Sequence, residues 1–295
     1  MLKTLPKWKD ASVTRSRDSE ILEACDIIVD VQGQYDGTKH FDHHQRTFTE
    51  TFDANHQTKL SSAGLIYKHF GKEIIANMTS VKIDDDKMNL IHTKVYDEFI
   101  EGIDANDNGI SAYGSIEPSF KTAMSLPSMV AHLNPRWNEE STDSILDEKF
   151  TQASELVGGH FADRVSYYSD AWLPARAGVY TAITSRQQPE IVVFEEFLPW
   201  KDHLFQIEKE LQIEGKILYV LYSDGKNWRI QAVPKAITSF ESRKALPEAW
   251  RGVRDSALDD LTDVPGGIFI HASGFIGGHK TREGALELAK KALLL

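Results

Sequence analysis

The residues best suited to chemistry lie in Phe41-Asp42-His43-His44-Gln45-Arg46. A carboxylate followed by two imidazoles offers oxygen and nitrogen donors of the kind that hold Mn²⁺, Mg²⁺, Fe²⁺ or Zn²⁺. An apolar run ahead of it, Asp26-Ile27-Ile28-Val29-Asp30-Val31, carries a further carboxylate, Asp30, near its C-terminal end. Neighbouring side chains in an extended loop diverge, so His43 and His44 are not expected to hold one ion together. One of them binds metal and the other faces a substrate, while Asp42 fixes the tautomer of a histidine. The plain alternative is a solvated His-His pair in a polar loop.

A second set is Gly102-Ile103-Asp104-Ala105-Asn106-Asp107-Asn108-Gly109-Ile110. It resembles a calcium loop only loosely, because the spacing after Gly109 is wrong and no Glu closes it. By itself it reads as an Asn/Asp/Gly turn. Beside Asp30 and the His pair it gains weight, since ligands in open α/β sheets gather at the carboxyl ends of strands. A third set, Phe269-Ile270-His271-Ala272-Ser273-Gly274-Phe275-Ile276-Gly277-Gly278-His279-Lys280-Thr281, reads as a strand and a glycine-rich loop running into a helix N-terminus. That is a candidate anion cradle to which Lys280 adds a point charge, although the spacing is not that of a phosphate-binding P-loop. A tight connection before a helix is the bland alternative. There is no Gly-x-Ser-x-Gly nucleophile elbow and no Cys-x-x-Cys pair. Cys25 sits beside carboxylates and is a poor nucleophile. Asp84-Asp85-Asp86 reads as a solvated turn and helix cap, and the scattered tryptophans read as core.

These residues must be positioned by an alternation of strands and helices. Residues 12–15 and 26–31 read as strands, 19–24 as a short helix, and 61–70 and 88–99 as amphipathic helices that flank the polar sets. The pattern predicts an α/β domain with a mostly parallel sheet. From Ile116 to about Arg186 it turns helical, with helices over 147–157 and 161–172 interrupted by Gly158-Gly159 and ended at Pro174. Beyond it, strands over 191–194, 216–222, 228–233 and 267–271 and helices over 201–211 and 281–293 predict a smaller α/β domain. Its Ser223-Asp224-Gly225-Lys226-Asn227 segment marks a hairpin. The boundary falls near residue 188, giving domains over 1–188 and 189–295.

The chain has 295 residues, 33 Lys+Arg against 44 Asp+Glu, a net charge of −11, 41% hydrophobic residues and one cysteine. That composition is globular and excludes collagen, long disorder and a disulfide scaffold. A single cysteine suits a reducing compartment. No run approaches the ~20 apolar residues of a membrane span, and no secretory signal is expected. The acidic balance argues against a broadly basic nucleic-acid surface. It leaves open phosphate binding through cations held in a site.

Taken together, residues 26–31, the segment Phe41 to Phe48 and Ile103-Asp104-Ala105-Asn106-Asp107-Asn108-Gly109 resemble the DHH phosphoesterase superfamily. More closely, they resemble the melanocyte-proliferating-gene (Myg) family of metal-dependent hydrolases. The likeness extends through Leu133-Asn134-Pro135-Arg136-Trp137-Asn138, Leu173-Pro174-Ala175-Arg176, Pro199-Trp200-Lys201-Asp202-His203-Leu204, Pro247-Glu248-Ala249-Trp250-Arg251-Gly252 and residues 271–278. It implies a catalytic N-terminal domain and a C-terminal domain that helps bind substrate. It also implies a divalent metal (Mn²⁺ first, Mg²⁺ second) and 3′–5′ exonuclease action on RNA or short oligonucleotides, in nucleus and mitochondria. A homo-oligomer is a further expectation. Under this resemblance Asp30, His43 and Asp104 bind metal. His44 contacts phosphate, Asp42 holds the histidine pair, and Asp107 assists. Arg46, His271, Gly277, Gly278 and Lys280 bind substrate.

The sequence departs from the family at one place. Family members carry a strand ending in His-Asn-Gly-x-Phe-His-x-Asp-Glu that supplies metal ligands, and this sequence contains no such segment. Gln32 also stands where a glycine is usual. A sheet lacking its first strand and a weakened or inactive hydrolase are therefore expected. The alternatives are a catalytically dead RNA- or protein-binding module, and a hydrolase of pyrophosphate or cyclic dinucleotides.

Overall fold

A computed structural model describes residues 1–118, 120 and 123–295, and the chain divides into two units, Met1–Asp170 and Ala171–Leu295.

In the first unit, two single turns of 3₁₀ helix bury Leu5 and Trp8. The strand expected over residues 12–15 does not form. Helix α1 (Ser19–Glu23) starts where Asp18 accepts the amide of Glu20 at 2.9 Å, which satisfies a donor that the first turn leaves orphaned. Strands β1 (Ile28–Val29) and β2 (His40–Phe41) pair in parallel, Ile28 opposite His40. Among the described residues this ladder is the whole sheet of the unit, so the broad parallel sheet expected here is reduced to two short strands. Residues 26–31 are apolar enough for a longer strand, but β1 has a neighbour on one edge only.

Helix α2 (Ser62–Met78) is capped by Ser61, whose Oγ accepts the Gly64 amide, and it buries Leu65, Ile66, Tyr67, Ile74 and Ile75. Helix α3 (Met88–Val95) continues through a π-helical turn (Tyr96–Ile100) into α4 (Glu101–Asp107). The expected Asn/Asp/Gly loop therefore begins only at Asn108. The helix persists because Asp104, a poor helix former in isolation, finds buried partners (below). Helix α5 (Leu126–Ala131) precedes α6 (Asp143–Tyr167). The latter runs through Gly158-Gly159 without a break, and both glycines sit where a Cβ would meet nothing. Residues 119, 121 and 122, which fall in the segment expected to be helical, lie outside the described residues.

In the second unit, α7 (Leu173–Thr184) begins with Pro174 in its first turn, where proline's missing amide costs nothing. The expectation that Pro174 ends a helix is thereby reversed. Strand β3 (Ile191–Phe194) and α8 (Lys201–Glu210) follow, then the hairpin of β4 (Tyr219–Ser223) and β5 (Trp228–Ala232), as the turn sequence predicts. Helix α9 (Asp255–Thr262), strands β6 (Gly267–Ile270) and β7 (Ile276–His279), and α10 (Arg282–Leu294) complete it. The sheet order is β3-β4-β5-β7-β6, with β3 and β4 parallel and the remaining pairs antiparallel. Alternate residues of β4 point to opposite faces. Tyr219 and Leu221 meet Leu258 of α9 and Ala285, Leu288 and Ala289 of α10. Val220 and Tyr222 meet Val179 and Ile183 of α7 and Leu204 and Ile207 of α8. The unit is thus a three-layer α/β/α stack, and α7 belongs to it through β3 and α8, which puts the division ahead of residue 188.

Trp8, Trp172, Trp200 and Trp250 are core, whereas Trp137 is 97% exposed. No helix among the described residues is long and apolar enough to cross a membrane.

Candidate metal centre

The parallel pairing of β1 and β2 carries the chain ends of both strands to one place. The Asp30 amide bonds to the Phe41 carbonyl at 3.1 Å, so Asp30 and Asp42 emerge side by side. Asp30 has φ +65°, a left-handed conformation that Asp tolerates better than most residues. Its carboxylate turns toward α2, where Oδ1 accepts the Ser62 hydroxyl at 3.0 Å. Gln32 also lies in this region (φ +76°), and its side-chain oxygen is buried without a hydrogen bond. Two left-handed residues other than glycine beside one cluster are backbone strain of the kind that collects at functional sites.

Asp30, Asp42, His43 and His44 each place a ligating atom within 4.8 Å of the others. Asp42 is buried, accepting the Gly33 amide on Oδ2 at 2.6 Å and His44 Nδ1 on Oδ1 at 2.6 Å. Burial disfavours its charge, but the bonds from His44 and Gly33 prevail and hold the carboxyl below the usual carboxylate range. The Asp42 hydrogen bond raises His44 above the ordinary histidine value. Burial opposes this, and the charges of Asp42, Asp30 and Asp107 assist it. The same bond curls His44 back, so the two imidazoles lie with centroids 4.2 Å apart instead of diverging.

His43 is buried between the two ends of the site. Its Nδ1 is 3.3 Å from Ser62 Oγ, and its Nε2 is 3.1 Å from Asp107 Oδ2. Ligands at adjacent corners of an octahedron with bonds of about 2.1 Å lie about 3 Å apart. The His43–Asp107 pair therefore fits a divalent ion, as do the oxygen and nitrogen donors of the four-residue cluster.

Asp104 stands elsewhere. It is fully buried, with Oδ1 accepting the Ser61 amide (2.9 Å) and hydroxyl (2.7 Å) and Oδ2 accepting the Tyr96 hydroxyl at 3.0 Å. Burial raises it above the usual carboxylate range, more than these bonds lower it. A Cβ on Gly64 would lie 2.3 Å from Oδ1, so the glycine is what lets Asp104 reach the start of α2. Asp104 thus braces α2 against α4, and Asp107, one turn later, is the aspartate that meets His43.

Arg17 was not singled out by the sequence. It lines a cavity of about 610 Å³ together with Asp30, Asp42 and His44. A larger cavity of about 1330 Å³ also reaches Arg17 and Asp30 and is bounded by Arg15 and Cys25. Arg46 is exposed and lines neither cavity. A second grouping in this unit, His56, Asp97 and Glu101, is tied by hydrogen bonds from the two His56 nitrogens to Asp53 and Asp97.

The remaining expected site residues lie in the second unit. His271 is exposed, with Nδ1 2.9 Å from Ser273 Oγ. Gly277 and Gly278 are not a loop but the middle of β7, paired with β5 and β6. A Cβ at Gly277 would lie 2.5 Å from Ile270 Cδ1, and one at Gly278 would lie 2.5 Å from Arg229 Nη1. Close packing within the sheet accounts for both glycines. The Lys280 amide bonds to Gly266 O at 3.0 Å, and Thr281 caps α10 through the Gly284 amide. The expected anion cradle is a hairpin whose amides serve the sheet.

Among known proteins, the family model MYG1_exonuc, described as an uncharacterised protein family (UPF0160), matches residues 1–293. A MYG1 protein of Schizosaccharomyces pombe is 53% identical over 99% of this chain and 91% of its own. A MYG1 protein of Saccharomyces cerevisiae is 48% identical over 99% and 90%. The MYG1 exonuclease of Homo sapiens is 45% identical over 99% and 81%. No solved structure matches. With the match running nearly from end to end, this chain belongs to the MYG1 family.

Proposed function

We propose that this chain is a metal-dependent phosphodiester hydrolase of the DHH type, acting as a 3′–5′ exonuclease on RNA. The observation that carries the reading is the convergence of Asp30, Asp42, His43 and His44, with Asp107 on His43, beside a cavity that Asp30, Asp42 and His44 line together with Arg17. The MYG1 exonuclease name of a relative 45% identical over almost the whole chain agrees with it.

His43 and Asp107 would hold a divalent ion, Mn²⁺ or Mg²⁺, with Asp30 at the other nitrogen of the same imidazole, and when bound it supplies an activated water and neutralises phosphate charge. Asp42 favours the protonated form of His44 through Nδ1, and an Nε2–H would then donate to a phosphate oxygen as charge develops there. Arg17 orients the nucleotide backbone by a charge-assisted hydrogen bond. Arg46, His271 and Lys280 are exposed cations or donors and are proposed as further substrate-binding residues. Asp104 acts by fixing the helix that presents Ser62.

The test is release of nucleoside monophosphates from a short RNA in Mn²⁺. Asp30→Ala and His43→Ala should each lower the rate at least about 100-fold, the scale of lost electrostatic stabilisation at a site of this kind. Either variant at wild-type rate removes the metal assignment.

A further inference from the structure

We propose that Ser62 is a positioning residue that selects which nitrogen of His43 faces the metal, an inference that rests on the metal site above. Ser62 is the first residue of α2, fixed by the Ser61 cap, and is 4% exposed. A serine hydroxyl carries one proton. Ser62 gives it to Asp30 Oδ1 at 3.0 Å, so its oxygen can only accept in the 3.3 Å contact with His43 Nδ1. The other polar atoms facing Nδ1 are Asp30 Oδ1 at 3.8 Å and Asp42 Oδ1 at 4.0 Å, both acceptors. The proton of a neutral His43 therefore belongs on Nδ1, and the lone pair sits on Nε2.

That lone pair faces Asp107 Oδ2 at 3.1 Å. Two acceptors at that distance repel one another unless a cation joins them. One hydroxyl thus restrains the Asp30 carboxylate and turns the ligating nitrogen of His43 toward Asp107. The adjacent Ser61 has the same side chain at the same helix end, but it serves Gly64 and Asp104 instead.

The test is Mn²⁺ binding by calorimetry on the 295-residue chain. Ser62→Ala should weaken Mn²⁺ about 10–100-fold, the usual effect of removing a hydrogen-bond partner behind a metal ligand. Ser62→Thr, which keeps the hydroxyl, should restore most of the affinity. Wild-type affinity in Ser62→Ala, or equal losses in the Ala and Thr variants, overturns the inference. Absence of Mn²⁺ binding by the wild-type chain, or its survival in His43→Ala, overturns the site reading itself and the inference with it. Imidazole ¹⁵N shifts of the Mg²⁺-loaded wild type give a readout independent of any variant's folding. The Nδ1–H form of His43 is expected, and an Nε2–H form overturns the proposal.

Discussion

At the scale of single residues, His92 couples folding to pH. It lies in α3 at 7% exposure, stacked on Tyr67 with centroids 4.8 Å apart and Nε2 at 3.4 Å from the Tyr67 carbonyl. Burial pulls its pKa down to about 4, against the upward pull of the Tyr67 carbonyl. An unfolded histidine titrates near 6.5. Between those values the unfolded chain binds a proton that the folded chain refuses, so stability falls as pH falls through that window. The full difference corresponds to about 3 kcal/mol. Urea unfolding at a series of pH values from 7 to 4 should show this loss, and His92→Gln should flatten it. An unchanged slope in the variant would place the acid sensitivity elsewhere. Nothing in the sequence flagged His92, because an isolated histidine on an apolar helix face carries no pattern. Asp30, Asp42, His43 and His44 were legible because ligating types were concentrated in two short segments. Ser61, Ser62 and Arg17 were not, because serine and arginine are common on surfaces and only the tertiary fold brings these three to the site. Spacing offered both Asp104 and Asp107, but only the helical phase of α4 separates the buried brace from the residue that meets His43.

At the scale of elements, the parts read correctly were those whose local signals agreed: the β4–β5 hairpin, the long amphipathic helices and the closing α10. Some errors came from glycine and proline, and others from the strands expected over 12–15 and 26–31. Gly158-Gly159 and Gly277-Gly278 read as interruptions, yet one pair sits in a helix with open space around it and the other in a strand that needs small residues. A buried ion pair shows how firmly α8 is tied to the second unit. Glu208, at 1% exposure, accepts both Arg243 terminal nitrogens at 2.7 Å and the Ile217 amide at 3.1 Å, and Arg243 also donates to the Ile217 carbonyl. Removing one partner of such a pair strands a charge, whereas replacing both by apolar residues of similar volume is often neutral. Arg243→Ala should therefore cost about 3–5 kcal/mol in denaturant unfolding, and the double variant Glu208→Leu with Arg243→Met should recover most of it. A double variant no better than the single one would show that packing, not the stranded charge, sets the cost.

At the scale of the whole molecule, a net charge of −11 bears on the anionic substrate proposed above. A protein that holds RNA through many Lys and Arg side chains loses affinity steeply with salt, with a slope of about −0.7 per neutralised phosphate of a single strand. This chain offers few cations at the site. Arg17 lines the cavity, while Arg15 is already paired with Asp147 at 2.7 Å. Under the proposed function, attraction would come largely from a divalent ion at His43 and Asp107, whose own charge would dominate the local field. Two consequences follow for a phosphorothioate RNA that resists cleavage, measured by fluorescence anisotropy. Binding in Mn²⁺ should collapse when EDTA is added. The dependence of log affinity on log salt in Mn²⁺ should be no steeper than about −2, the value for two or three phosphates neutralised by side chains. Tight binding that survives EDTA with a steep salt slope would point to a binding surface independent of the metal site. In that case the chain would be read as an RNA-binding module, and the acidic and imidazole cluster would need another role.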